Sequence, residues 1–344
     1  MVEITKQQAK DFLDSIKKDE KVLIFCHDDL DGFSSGRQLY EYLDGKCELE
    51  IIPVRLGEIR VLDMDLSKYD KFVVVDISSE VLDRFVKSAS GKPVLHIDHH
   101  PKDKDLDENI LEYNPQNSGY VPASRLVFDL IKNEDQKWIS MLGVIADAGE
   151  TDSENKEFIE DFLKEKGLSL DEFQEKYVYQ VSRFLIYFRS DLKEALKIFL
   201  SIKNLDDLEK IKKYSEEVKS ESDLWIEKFE KKKELFGEVE FYYFEPVFEV
   251  KAVVVNSISY NNPDKIIVFV NPIPGTFGLS ASFRNQTKRW KMNDFAKVCI
   301  HGLEESSAGG HVPASGASFL KKDLDKFKEN LKEYVKEKEE QEKD

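Results

Sequence analysis

Residues 71–100 read KFVVVDISSEVLDRFVKSASGKPVLHIDHH. Two β-rich runs, KFVVVDIS (71–78) and PVLHIDHH (93–100), flank a helix-compatible stretch, and each carries acidic side chains at or near its end. Strand, helix and strand in that order predict one unit of a parallel sheet. Upstream, KVLIFC (21–26) and CELEIIPVRL (47–56) add two further strands, and residues 4–18 read as an amphipathic first helix.

From Ala123 the pattern turns helical, through ASRLVFDLIKN and KWISMLGVIADAGE, and residues 154–235 carry no convincing strand. Leu208, Ile211, Ser215, Val218, Ser222, Trp225 and Phe229 recur at three- or four-residue spacing, which predicts a long amphipathic helix joining two halves. After Gly237, β character returns in VEFYYFEP, KAVVVNSIS, KIIVFVNP and FGLSASFR, before helical periodicity resumes in MNDFAKVCIHG. The expected fold class is α/β: a parallel-sheet domain over 1–150, a helical connector over 151–236 and a smaller α/β domain over 237–344. A chain of 344 residues exceeds the usual limit of one core, which fits this division.

Hydrophobic residues make up 41% and charged residues 35% of the chain, the balance of a soluble globular protein with a heavily charged surface. No apolar run approaches the ~20 residues of a membrane span. The N-terminal stretch lacks a signal-peptide core, so a cytoplasmic location is expected. Cys26, Cys47 and Cys299 are widely spaced with no CxxC, which argues against a disulfide framework or a zinc knuckle. A net charge of −17 argues against a general basic surface for long nucleic acid, while leaving room for a local basic cleft.

The acidic residues fall at strand ends. HDDLDG (27–32) follows KVLIFC, Asp76 ends KFVVV, and Asp98, His99 and His100 end PVLHI. Ligands of an open parallel sheet collect beyond the carboxyl ends of its strands, so the three clusters should meet there. Carboxylates so crowded need cations. Oxygen ligands with imidazoles and no thiolate suit manganese first, with magnesium, iron or cobalt as alternatives. Two ions would let Asp76 bridge them, while Asp29 and Asp31, two residues apart in an extended loop, would face one ion each. Gly32 would permit a tight turn. An acidic residue after one strand is ordinarily a turn former or helix cap; three such clusters are harder to dismiss. His96 and His301 read as packed core histidines and are left out of the site.

These residues resemble the DHH phosphoesterase family, named for the triplet that stands here as Asp98-His99-His100. HDDLDG, Asp76 in VVVDIS, the triplet and Asp147 in GVIADAGE match its motifs in order, and GGHVPASGASF (309–319) looks like the GGH signature of a DHHA1-type C-terminal domain. The resemblance implies metal ligation by Asp29, Asp31, Asp76, His99 and Asp147, with Asp98 orienting His99. It further implies that His100 touches the substrate phosphate. His27, two residues before Asp29, reads as a further ligand or a general acid.

In the second domain, Ser280, Ser282 and Arg284 alternate along LSASFR and so share one strand face. Ser282, Arg284, Gly309, Gly310 and His311 are the expected substrate-binding residues, Arg284 holding a phosphate bidentately. The two domains would face each other across a cleft. The expected activity is hydrolysis of nucleotide phosphoesters, exonucleolytic on short oligonucleotides or single-stranded nucleic acid. RecJ-like action on long strands, cyclic dinucleotide or nucleoside bisphosphate hydrolysis, and a non-catalytic nucleic-acid or replication-partner binding role stand as alternatives. A protein partner on the connector and a homodimer are left open, and no membrane is expected.

Overall fold

The computed structural model describes residues 2–55, 64–79, 82, 89, 91–101, 109–115 and 119–341. The helix expected between residues 79 and 92 lies largely outside them. The chain divides into two compact units, Met1–Glu216 and Glu217–Asp344.

The first unit is built on β1 (Val2–Glu3), β2 (Lys21–His27), β3 (Glu48–Val54), β4 (Lys71–Val75), β5 (Val94–Ile97) and β6 (Ile110–Tyr113). They form one sheet in the order β1-β6-β5-β4-β2-β3, and every pairing is parallel. Strand alternation sends Val22, Ile24, Val73, Val75, Leu95 and Ile97 into one core and Leu23, Phe25, Phe72, Val74 and Val94 into another. Burial on both faces explains why these strands read as continuous apolar runs.

Register positions the site. Cys26 pairs with Val75, and Val75 with Ile97, so the next residues of the three strands, His27, Asp76 and Asp98, emerge side by side. The chain order also reverses between β2 and β4, which makes their carboxyl ends the crevice where such sheets bind ligands.

The helices Lys137–Ala146, Lys156–Lys166, Tyr179–Tyr187 and Leu192–Ser201 pack with Phe33 of the Leu30–Leu43 helix in a third core. The 151–236 stretch expected as a connector is thus divided between the units. Leu208 and Ile211 join that third core, whereas Phe229 stacks on Phe269 at 5.0 Å in the second unit. The long helix runs Lys212–Lys232, and Leu208 and Ile211 lie in a 3-10 turn before it.

The second unit carries β7 (Glu234–Phe236), β8 (Val239–Tyr243), β9 (Ile266–Pro272), β10 (Gly278–Arg284), β11 (Ser307–Gly310) and β12 (Ala314–Leu320), ordered β11-β12-β10-β9-β8-β7. All pairings are antiparallel except β8 with β9. That exception corrects one expectation: KAVVVNSIS is not a strand but part of the helix Lys251–Asn261. A parallel pair needs a crossover, and this segment supplies it, burying Val254, Val255 and Ile258 in spite of its β-branched run. His301 is corrected as well: it sits exposed in the turn after the helix Met292–Cys299 rather than in a core. Among the described residues no helix is long and apolar enough to cross a membrane.

Candidate metal centre

β2 delivers His27, and Asp29 then caps the helix Leu30–Leu43, its Oδ1 accepting the Gly32 N–H at 2.9 Å. Asp31 lies inside the first helical turn, so the expected extended loop ends at Asp29. Gly32 is required by packing, not by turn geometry: a Cβ there would lie 2.5 Å from the His27 carbonyl oxygen. The buried Asp31 carboxylate accepts the N–H groups of Ala123 (2.7 Å) and Ser124 (3.0 Å) at the start of the helix Ala123–Ile131. Asp147 closes the Lys137–Ala146 helix as its C-cap.

Asp76 stands at the centre. It leaves β4 with φ +59, a left-handed conformation uncommon outside glycine, while its N–H still donates to the Ile97 carbonyl at 3.0 Å. Its two oxygens face different partners: Oδ2 lies 3.6 Å from His27 Nδ1, and Oδ1 lies 3.2 Å from His99 Nε2. On the first side stands the set His27, Asp29 and Asp76; on the second stand Asp31, His99 and Asp147. Within each set the ligand atoms lie within 4.8 Å of one another.

Burial pushes the His27 imidazole down in pKa, but the carboxylates of Asp29 and Asp76 outweigh it and raise it to about 11. Burial likewise opposes protonation of His99, which Asp76, Asp31 and Asp147 raise to about 9. Asp31 is held well above the usual carboxylate range, by burial first and then by Asp76 and Asp147; Asp76 is raised by burial and by Asp29. Protons therefore neutralise the cluster when no cation does. Asp76 Oδ2 is buried with no hydrogen-bond partner among the described residues. Such an oxygen, inside an all-oxygen and imidazole set, fits a divalent cation.

One expectation about the triplet changes. Asp98, 2% exposed, accepts a hydrogen bond from His100 Nδ1 at 2.8 Å, so it orients His100 rather than His99. His99 points the other way, towards Asp76 and, at 3.4 Å, Asp147 Oδ2.

In the second unit, Ser280, Ser282 and Arg284 occupy the more open face of β10. Pairing across three strands aligns Ser282, Gly316 and Gly309 in one row. A Cβ at Gly309 would meet nothing within 4 Å, which leaves a bare strip beside the Ser282 hydroxyl. Gly310 has φ +133, and the His311 N–H donates to the Ala314 carbonyl at 2.8 Å, so the GGH segment is a hairpin corner with His311 exposed. Arg284 Nε donates to Asn256 Oδ1 at 3.2 Å.

Residues 21–149 match the DHH family, N-terminal domain. This segment of the first unit therefore carries a DHH-family N-terminal domain. Among solved structures it resembles exonuclease RecJ bound to manganese, at 13% identity over 97% of this chain and 95% of that one, with a TM-score of 0.73. RecJ in complex with Mn2+ from Thermus thermophilus gives 13% identity and a TM-score of 0.70; 96% of this chain is covered, but only 55% of that one. CDC45 from Entamoeba histolytica gives 10% identity, a TM-score of 0.56, and coverage of 96% and 99%. At these identities the likeness is one of fold. No curated protein sequence matches the chain.

The first unit also holds residues that sequence reasoning passed over. Tyr120 donates its hydroxyl to Asp147 Oδ2 at 2.5 Å. Asp28, 1% exposed, pairs with Arg189 at 3.2 Å, and both line a cavity of about 200 Å³ with Asp29, Asp31, Asp147 and Ser182. His96 is fully buried as expected, and its Nε2 donates to the Ile77 carbonyl at 2.8 Å, steadying the backbone just beyond Asp76. In the second unit, Lys251 hydrogen-bonds the Ser280 hydroxyl; burial and then Arg284 lower its ammonium to about 8. Asp28 was visible inside HDDLDG. Tyr120, Arg189 and Lys251 carry no periodic or motif signal and reach their positions only through tertiary packing.

Proposed function

We propose that this chain is a metal-dependent phosphodiesterase that hydrolyses nucleotide phosphoester bonds, acting exonucleolytically on short oligonucleotides or single-stranded nucleic acid. The observation that carries the reading is Asp76, whose two oxygens face two separate ligand sets. His27, Asp29 and Asp76 would hold one cation, and Asp31, His99, Asp147 and Asp76 the other, with Mn2+ preferred and Mg2+ or Co2+ as alternatives. Such a pair supplies charge neutralisation at phosphorus and an acidified water.

The chain's own groups do the rest. Asp98 holds His100 through Nδ1 and raises its pKa, which favours the protonated imidazole as a donor towards a phosphate or leaving oxygen. Arg284 and Ser282 of the second unit would hold a substrate phosphate, with Gly309, Gly310 and His311 bounding the strip beside them. The likeness in fold to RecJ supports an exonuclease, and the full set of carboxylates and imidazoles favours catalysis over a binding role. A DHHA1-like second domain, a cytoplasmic location and a replication or other protein partner belong to the same proposal.

The test is Mn2+-dependent turnover on a matched panel: RNA and DNA of two to five residues, a long 5′-labelled single strand, cyclic dinucleotides and a nucleoside bisphosphate, with chelator and Asp76→Asn controls. Preference for short oligomers supports the main reading, and progressive loss of the long strand supports RecJ-like action. Metal binding without cleavage of any member would replace both with a binding protein.

A further inference from the structure

Tyr120 is 39% exposed, yet both its backbone and its hydroxyl are hydrogen-bonded near the metal centre. Its backbone N–H donates to Asp152 Oδ2 at 2.9 Å, and its carbonyl accepts from Asn155 Nδ2 at 2.9 Å. Asn155 is itself fully buried and also donates to the Gly149 carbonyl at 2.8 Å. At the far end of the ring, the hydroxyl is tied to Asp147 Oδ2. One flank packs edge-on against His99, with centroids 5.2 Å apart at 68°. The ring is thus fixed at both ends and along one side, while much of its surface is left to solvent.

That exposed surface borders a cavity of about 390 Å³ lined by Tyr120, His99, His100, Pro101 and Gly119. The volume lies within the roughly 300–1,000 Å³ usual for small-molecule sites. Leaving an aromatic face in water forgoes its burial energy. If Tyr120 served only to hold Asp147, its ring could equally lie against protein. An immobilised open ring has the properties of a stacking surface, because its conformational entropy is spent before a ligand arrives.

We propose that Tyr120 is the stacking platform for the nucleobase of the nucleotide whose phosphate lies at the metal centre, and that the cavity beside His99 and His100 is that base's subsite. The inference rests on the nucleotide reading above and adds the part of the substrate that this domain recognises. Because the hydroxyl touches Asp147 and Asp147 lies 3.4 Å from His99 Nε2, the ring starts at the edge of the metal cluster. A base one sugar away from a phosphate held there reaches it. Stacking is indifferent to base identity, so this subsite would demand a base without choosing among them.

The test compares thymidine 5′-monophosphate with deoxyribose 5-phosphate, which has the same phosphate and sugar but no base. Binding of each is titrated calorimetrically into Mn2+-loaded wild type, Tyr120→Phe, Tyr120→Leu and Tyr120→Ala, with melting temperatures as the folding control. Wild type and Tyr120→Phe should prefer the base-bearing ligand by on the order of ten-fold, and Tyr120→Leu and Tyr120→Ala should bind the two alike. Equal binding of both ligands by wild type, or an undiminished preference in Tyr120→Ala, would overturn the platform. Loss in Tyr120→Phe equal to that in Tyr120→Ala would also overturn it, assigning the effect to the hydroxyl bond with Asp147. Binding of neither ligand by wild type would sink the nucleotide reading itself, and this inference with it.

Discussion

Asp31 Oδ1 occupies the space that a side chain at Gly143 would need: a methyl there would lie 2.7 Å from that oxygen and 2.4 Å from Ser124 Oγ. Both neighbours are buried, and Asp31 is held by two backbone N–H groups, so it has no room to yield. Gly143→Ala should therefore destabilise the protein by about 1–3 kcal/mol and weaken Mn2+ binding. A variant with wild-type melting temperature and Mn2+ affinity would show that the contact relaxes freely.

Asp76→Asn should separate stability from metal binding. The folded-state pKa of Asp76 is raised, so its ionised form opposes folding in the metal-free protein, increasingly as pH rises above the ordinary carboxylate value. Asparagine removes that charge and tolerates the φ of +59. The metal-free melting temperature should hold or rise, while the Mn2+-induced increase disappears. Asp76→Ala, which lacks asparagine's tolerance of this backbone, should lose about 1 kcal/mol relative to Asp76→Asn. A full Mn2+-induced shift in Asp76→Asn would remove Asp76 from the site.

Metal affinity should climb with pH. His27 and His99, raised to about 11 and about 9, carry protons at pH 7 in the metal-free protein, and a cation must displace them. Mn2+ affinity measured from pH 6 to 9 should rise by up to about ten-fold per pH unit for each proton released. Calorimetry in buffers of different ionisation enthalpy counts those protons; a flat profile with no proton release would exclude the two imidazoles as ligands. The metal-free protein should behave oppositely. Stability from these two charged imidazoles is full below about pH 6.5 and is lost as pH rises through about 9 and then 11.

Arg284→Ala should mainly raise KM, because a phosphate held in ground and transition states alike contributes uniform binding. Lys251 adds a pH signature, since its ammonium, lowered to about 8, would lose charge above that pH and KM should then rise. Lys251→Gln should flatten that rise. A KM unchanged in Arg284→Ala would take the phosphate away from this strand.

Much of the fold was legible because fully buried parallel strands must be apolar and their carboxyl ends polar. That rule places His27, Asp76 and the Asp98-His99-His100 triplet at strand ends, and register brings the three ends together. It failed where a local pattern had two solutions. KAVVVNSIS has strand composition, yet the parallel β8–β9 pairing makes it the crossover helix. Asp98 could have turned to either neighbouring histidine, and only the packed structure selects His100. Tyr120 and Lys251 were invisible because their significance lies in what other segments bring beside them.

The proposed ligands come from the end of β2, from the N-cap and first turn of the Leu30–Leu43 helix, from just beyond β4 and β5, and from the end of the Lys137–Ala146 helix. Bound cations would therefore act as cross-links closing loops that span residues 27 to 147, much as disulfides do, in a chain whose described cysteines are all free. Heat and chelator should then act together: a chelator would remove the clamps holding separate strands and helices to one point, and the region around Asp76 would be the first to open.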